Sequence, residues 1–159
     1  AAMAVSLDPN LRPALWPDTR EMVSTIHALA GQADWFLPGI AEGRLLSGEQ
    51  TPEGIAAFYH RMGVKLVIIK LGAKGAYFSS GEEEGYVEGF SVPRIVDTVG
   101  AGDGFAAGVL SAWIEGLPVR EAVRRGNAIG AIQVMSRGDN SGLPTREELE
   151  RFMKESKGE

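Results

Sequence analysis

Apolar positions along this chain follow two rhythms, short unbroken runs and residues spaced three and four apart. The first predicts buried strands, the second helices lying on them. The run Met3 to Leu7 stops at Asp8-Pro9-Asn10 and is predicted to be a short buried strand ended by turn chemistry. Asp18 can cap a helix from about Thr19 to Ala30, with Met22, Ile26 and Leu29 on one face. Trp35, Phe36 and Leu37 make a second strand, broken by Pro38 and Gly39. A short helix from Ala41 to Leu46 follows, and Thr51-Pro52 starts another that runs to about Met62. Val64 to Leu71 is the clearest strand. It is rich in β-branched residues, with lysines only at its flanks, as in a parallel sheet covered by helices on both faces.

After Gly72 the rhythm shortens. Ala76 to Ser80 and Tyr86 to Phe90 read as a hairpin on the sheet edge, joined by the acidic turn Gly81-Glu82-Glu83-Glu84-Gly85. Gly100 begins a glycine-rich turn into a helix reaching about Glu115, and Pro118 opens another to about Met135. Thr145 and Glu148 have capping-box spacing for a last helix through Met153. The order predicts an α/β layered fold without internal repeat or long linker, so residues 1–159 are expected to form one domain. A chain that opens directly on a central-type strand reads as one cut from something longer.

Composition narrows the chemistry. The chain has 159 residues, 44% of them hydrophobic, which is enough for a sizeable core. No cysteine is present, so disulfides, thiolate metal sites and cysteine nucleophiles are excluded. His27 and His60 are the only histidines, and both are expected to be structural. No stretch approaches the roughly 18 apolar residues of a membrane helix, and the first residues lack a basic head and a long apolar run. A cytoplasmic protein is expected, with no membrane partner. The net charge of −5 gives no field for nucleic acid, so any anionic ligand must be held locally. Trp16, Trp35 and Trp113 are expected to pack in the core or at its boundary.

The most informative stretch is Asp97-Thr98-Val99-Gly100-Ala101-Gly102-Asp103-Gly104-Phe105-Ala106-Ala107-Gly108. Side chains almost vanish just before a helix, so successive main-chain N–H groups can face one anion at the positive end of the helix dipole. A carboxylate at Asp103 would repel a phosphate there unless it has a chemical task, such as general base beside an accepting hydroxyl. The bland alternative is a tight turn with Asp103 as helix cap. A dinucleotide-binding oxidoreductase fits less well, because Phe105 stands where the third glycine of G-x-G-x-x-G belongs.

From Asp97 through Leu110 the chain resembles, at every restricted position, the C-terminal signature of PfkB-type, ribokinase-like carbohydrate kinases. The resemblance extends over almost the whole chain but corresponds to about the C-terminal half of a family member. It implies a ribokinase-like three-layer α/β/α fold with a mostly parallel central sheet, here without its N-terminal portion and lid. It implies ATP and Mg²⁺, a sugar or sugar-acid substrate, and a homo-oligomer for the full-length form. Gly100, Ala101 and Gly102 would be the anion hole and Asp103 the catalytic base.

Other segments carry the resemblance further. Lys70-Leu71-Gly72-Ala73-Lys74-Gly75 matches a nucleotide-contacting loop, although solvated lysines in a hairpin turn explain it about as well. Asn127, between Gly126 and Gly130 in a helix, sits where the family has an Asn beside the nucleotide; close helix packing is the plain alternative. Asn10, Lys70, Gly72, Gly75, Gly102 and Asn127 are thus assigned to ATP. The phrase Asp8 to Trp16 looks like that of 2-keto-3-deoxygluconate kinases and some fructokinases, which gives Arg12 the acid sugar, with Asp103 and Asp139 as further substrate contacts. Asp139 favours the keto-deoxy acid, with a fructokinase or another PfkB-type sugar kinase as the alternative. Ala33 to Glu42 resembles a Pro-Asn-x-x-Glu segment with Gly39 in place of the Asn, leaving Glu42 to organise Mg²⁺. Asp97, the Val99 carbonyl and the loop at Gly138 sit where many members bind a monovalent cation, K⁺ in this reading. A nucleotide-binding module without turnover is the rival from another class.

Overall fold

The computed structural model describes residues 3–138 and 142–156. Five strands form one sheet in the order β1 (Ser6–Leu7), β2 (Trp35–Phe36), β3 (Leu66–Lys70), β4 (Ala76–Ser79), β5 (Glu84–Val87). The helices are α1 (Thr19–Ala30), α2 (Ile40–Ser47), α3 (Pro52–Arg61), α4 (Ala101–Ile114), α5 (Val119–Gln133) and α6 (Arg146–Glu155). The chain divides into two compact units, Ala1–Leu71 with Tyr77–Tyr86, and Gly72–Ala76 with Val87–Glu159.

The first unit holds the sheet. β1 pairs with β2 and β2 with β3 in parallel, Ser6 opposite Trp35 and Phe36 opposite Val67. The links from β3 to β4 and from β4 to β5 are too short for a parallel crossover, so the far side of the sheet is antiparallel. The helix starts follow their predicted caps. Asp18 accepts the Glu21 N–H at 2.8 Å, and Thr51 accepts that of Gly54 at 3.1 Å. Leu66 to Ile69 are buried, and Phe36, Ile55, Val67, Ile69 and Tyr77 share one buried cluster with Tyr59. Both histidines bond within this unit: His27 Nε2 to the Leu46 carbonyl at 3.0 Å, His60 to the Val64 carbonyl and to Ser79 Oγ.

Three expectations change here. Met3 to Leu7 is not a buried strand: Met3 and Val5 are exposed, and only Ser6–Leu7 pairs, because β1 is the end strand of the sheet. The buried face of α1 closes with Ala30, while Leu29 points outward, 47% exposed. The second hairpin strand stops at Val87, and Phe90 instead packs on Phe152 in the second unit.

In the second unit α4 and α5 lie against each other through glycine. A Cβ on Gly108 would stand 2.8 Å from the Gly126 Cα, and one on Gly126 would stand 2.9 Å from the Phe105 carbonyl. Helix α6 covers this pair with Leu149, Phe152 and Met153 against Ala128, Ile129 and Ile132. Its start is the predicted capping box, Thr145 Oγ1 accepting the Glu148 N–H and Glu148 Oε2 accepting that of Thr145. Trp35 is buried and Trp113 is 47% exposed. Among the described residues no helix is long and apolar enough to cross a membrane.

Candidate active site

In the first unit three parallel strands end together, and the residues just beyond them carry charge. Asp8 follows β1, Gly39 and Glu42 follow β2, and Lys70 closes β3, bridged to Gly39. Open α/β sheets place ligands at that end. Lys70 Nζ lies 2.5 Å from Asp8 Oδ2, with the two side chains 17% and 20% exposed. Burial pushes the Asp8 carboxyl above the usual carboxylate range although the Lys70 ammonium pulls it down, and Glu42 adds to the rise. The other Asp8 oxygen is buried without a partner.

Glu42 locks the surrounding loops. Its Oε1 accepts the Leu11 N–H and its Oε2 accepts the Gly39 N–H, each at 2.7 Å. Each oxygen keeps a second lone pair. Mg²⁺ needs only one or two carboxylates beside phosphates and waters, so Glu42 fits an organiser of phosphate-bound metal. Among the described residues no cluster of three or more metal-ligating side chains exists. Asn10 has a left-handed φ of 39°, which turns its side chain to accept Arg12 Nη1 at 2.7 Å; the same nitrogen donates to the Leu11 carbonyl at 3.0 Å. Arg12 is exposed, and its Nε and Nη2 make no bond among the described residues. That edge can take a carboxylate bidentately.

The second unit carries the glycine loop from Gly72 to Gly75 and the turn at Gly100 that leads into α4. Gly75 has φ 96°, and a Cβ there would stand 2.0 Å from the Val87 carbonyl oxygen. Its missing side chain therefore serves a close approach to its own chain. Gly72, with φ 64°, opens onto space. Asn127 donates through Nδ2 to the Val87 and Glu88 carbonyls, both at 3.1 Å, and so ties α5 to the segment on which Gly75 rests. Gly72, Gly75 and Asn127 thus share one assembly, whereas Lys70 and Asn10 belong to the first unit.

Gly100 starts α4 with φ 77°, and no side chain caps the helix. The Ala101 N–H makes a long 3.4 Å contact with the Thr98 carbonyl, and the first helical bond runs from Gly104 N–H to the Gly100 carbonyl at 2.8 Å. The N–H groups of Gly102 and Asp103 fall among the amides that a helix start leaves without helical partners. The Asp103 carboxylate is exposed and makes no hydrogen bond among the described residues, so it is not the cap.

Asp97 pins this turn to the end of α5. Its Oδ1 accepts the Val99 N–H at 3.0 Å and its Oδ2 the Gly138 N–H at 3.2 Å, and these donors hold its carboxyl below the usual range. Gln133, fully buried, donates from Nε2 to the Gly138 carbonyl at 2.8 Å. Asp139 lies outside the described residues. The sequence reading missed Asp8 and Gln133. The signal for Asp8 was an opposite charge at the end of a strand parallel to β3; for Gln133 it was a polar residue four beyond Ile129 on a buried face.

The family profile of pfkB carbohydrate kinases matches residues 1–146. The chain belongs to the pfkB family of carbohydrate kinases. This pfkB chain is 61% identical over 153 residues to 2-dehydro-3-deoxygluconokinase of Bacillus subtilis, covering 96% of the chain and 47% of that relative. An Escherichia coli protein described as a ribokinase II, in complex with ATP and Mg²⁺, superposes with a TM-score of 0.87 at 35% identity, covering 96% of this chain and 49% of that one. Vibrio cholerae fructokinase, a double mutant bound to fructose, ADP and potassium, gives 0.86 at 30% identity, covering 94% and 50%. The fold is therefore that of ribokinase-like kinases. The chain spans about half the length of the curated relatives it matches.

Proposed function

We propose that this chain is the ATP-binding and catalytic part of a kinase that phosphorylates a hydroxyl of 2-keto-3-deoxygluconate. The observation that carries this is Asp103: an exposed, unbonded carboxylate three residues into a helix whose start is made by Gly100 alone. A carboxylate left open beside free amides suits a base next to an anion. In this reading Asp103 takes the proton of the attacking hydroxyl while that oxygen bonds to the γ-phosphorus and the bond to the ADP oxygen breaks. The amides at Gly100 to Gly102 face the charge that grows on the phosphoryl oxygens. Mg²⁺, organised through Glu42, supplies neutralisation of phosphate charge when bound. Arg12, fixed by Asn10 and open along Nε and Nη2, takes the sugar carboxylate, with Asp139 as a second substrate contact.

The identity with the Bacillus subtilis enzyme supports the keto-deoxy acid over fructose. Calorimetric titration with MgATP, followed by phosphoryl-transfer assays with 2-keto-3-deoxygluconate and with fructose, tests the reading. The 159 residues alone are expected to bind MgATP weakly and to turn over poorly. Extended to the length of its relatives, the chain is expected to prefer the keto-deoxy acid. A preference for fructose would overturn the substrate, and absence of transfer in the extended chain would leave a binding module.

A further inference from the structure

Asp8 and Lys70 meet from the outer two of the three parallel strands. Adjacent strands lie about 4.8 Å apart, so the ends of β1 and β3 are separated by about twice that distance, with β2 between them. Only a long side chain closes such a gap, and Lys70 Nζ reaches Asp8 Oδ2. The residue of the middle segment paired with Lys70 is Gly39, which sets no side chain beside the lysine stem. Its φ of −71° is open to any residue, so the turn itself does not ask for glycine. A Cβ there would stand 3.3 Å from Glu42 Oε2, so the space is narrow.

The pair is held against the preference of its own surroundings. Asp8 Oδ1 is buried with no hydrogen-bond partner, and burial pushes the carboxyl up against the pull of the ammonium. Apolar side chains of similar size would fill the place with less loss of hydration, so stability alone does not account for the charges. The ammonium also has capacity left. Nζ carries three donors, and among the described residues its bond to Asp8 is the only one it makes. Its main-chain N–H is fixed on the Pro38 carbonyl at 2.9 Å, and the side chain is still 17% exposed. Unused donors therefore stand within a ligand's reach at the carboxyl ends of the parallel strands.

We propose that Asp8 is the positioning residue for Lys70, holding its ammonium across β2 so that the remaining donors meet phosphate oxygens of the nucleotide. This rests on the kinase reading above. A solvated lysine spreads its charge over many rotamers, whereas Asp8 fixes it at one point before the nucleotide arrives. Asp8 acts through the lysine alone, because its own charge repels a phosphate.

The test is calorimetric titration with MgATP, and separately with 2-keto-3-deoxygluconate, of the chain extended to the length of its relatives. Wild type, Asp8→Asn, Lys70→Met and the double variant are compared. Asp8→Asn is expected to weaken MgATP about 10-fold and to leave the sugar acid nearly unchanged. Lys70→Met is expected to weaken MgATP at least as much, and the double variant no further than Lys70→Met. MgATP bound as tightly by Asp8→Asn or by Lys70→Met as by wild type would overturn the proposal. Single effects that multiply in the double variant, or an equal loss for the sugar acid, would overturn it too. Should Asp8→Asn fail to fold around an unpaired lysine, the double variant, which leaves neither charge, decides against Lys70→Met. Titration needs no turnover, so a chain that binds as expected yet transfers no phosphate fails the kinase reading alone.

Discussion

Glu42 accepts the main-chain N–H of Leu11 at 2.7 Å across 31 residues of sequence, joining the loop after β1 to the first turn of α2. Its other oxygen holds Gly39, so one carboxylate fixes two of the loops at the carboxyl ends of the parallel strands. Glu42→Gln keeps one acceptor but turns an NH₂ toward one of the two amides. The expected result is a loss of about 1–3 kcal/mol in denaturant unfolding, read as a lower midpoint at constant slope. An unchanged midpoint would show that the loops hold without it.

Close approach governs the second unit, and Gly108 and Gly126 make it possible. Gly108→Ala puts a Cβ 2.8 Å from the Gly126 Cα, backbone that cannot step aside without moving a helix. A loss of about 3 kcal/mol is expected, at the upper end of overpacking costs. Gly104→Ala, whose Cβ would meet the movable Ile129 Cγ2 at 3.3 Å, is the milder control in the same thermal melt.

Much of this was legible in the sequence because it rests on local chemistry. Asp18, Thr51-Pro52, and Thr145 with Glu148 each announce a helix start through a side chain that reaches its own backbone. The buried run of β3 likewise announces a strand covered on both faces. What stayed hidden depends on residues far apart in sequence. The approach of the Val87 carbonyl to within 2.0 Å of where a Gly75 Cβ would stand, and the bonds from Asn127 to the Val87 and Glu88 carbonyls, join residues that no spacing in the sequence connects. Leu29 fits the apolar face of α1 by spacing, but Ala30 takes the buried position.

The Tyr59 ring packs on those of Phe36 and Phe58, its hydroxyl is buried without a hydrogen-bond partner, and burial pushes its ionisation upward. Tyr59→Phe removes an unsatisfied donor and keeps the ring. An increase of about 1 kcal/mol in unfolding free energy is expected; a decrease would show that the hydroxyl has a partner in solution.

Acid should weaken the contact of α6 with α4 and α5. Glu115 is held between Arg146, at 2.5 Å, and Arg125, at 2.9 Å, and these bonds bring its carboxyl down to about 2. A carboxyl lowered on folding stabilises the native state above its unfolded value of 4.5, and that contribution drains away as pH falls toward 2. Melting temperature against pH should therefore drop across this window in the wild type and less steeply in Glu115→Gln. Parallel profiles would remove Glu115 from the acid response.

Everything proposed for catalysis turns on Asp103 as the base of a phosphoryl transfer. Its most direct test is kcat with 2-keto-3-deoxygluconate for wild type and Asp103→Asn, in the chain extended to the length of its relatives, with MgATP affinity measured beside it. The expected result is a fall in kcat of about 10²–10⁴-fold with nucleotide affinity nearly unchanged. Undiminished turnover in Asp103→Asn would contradict the claim.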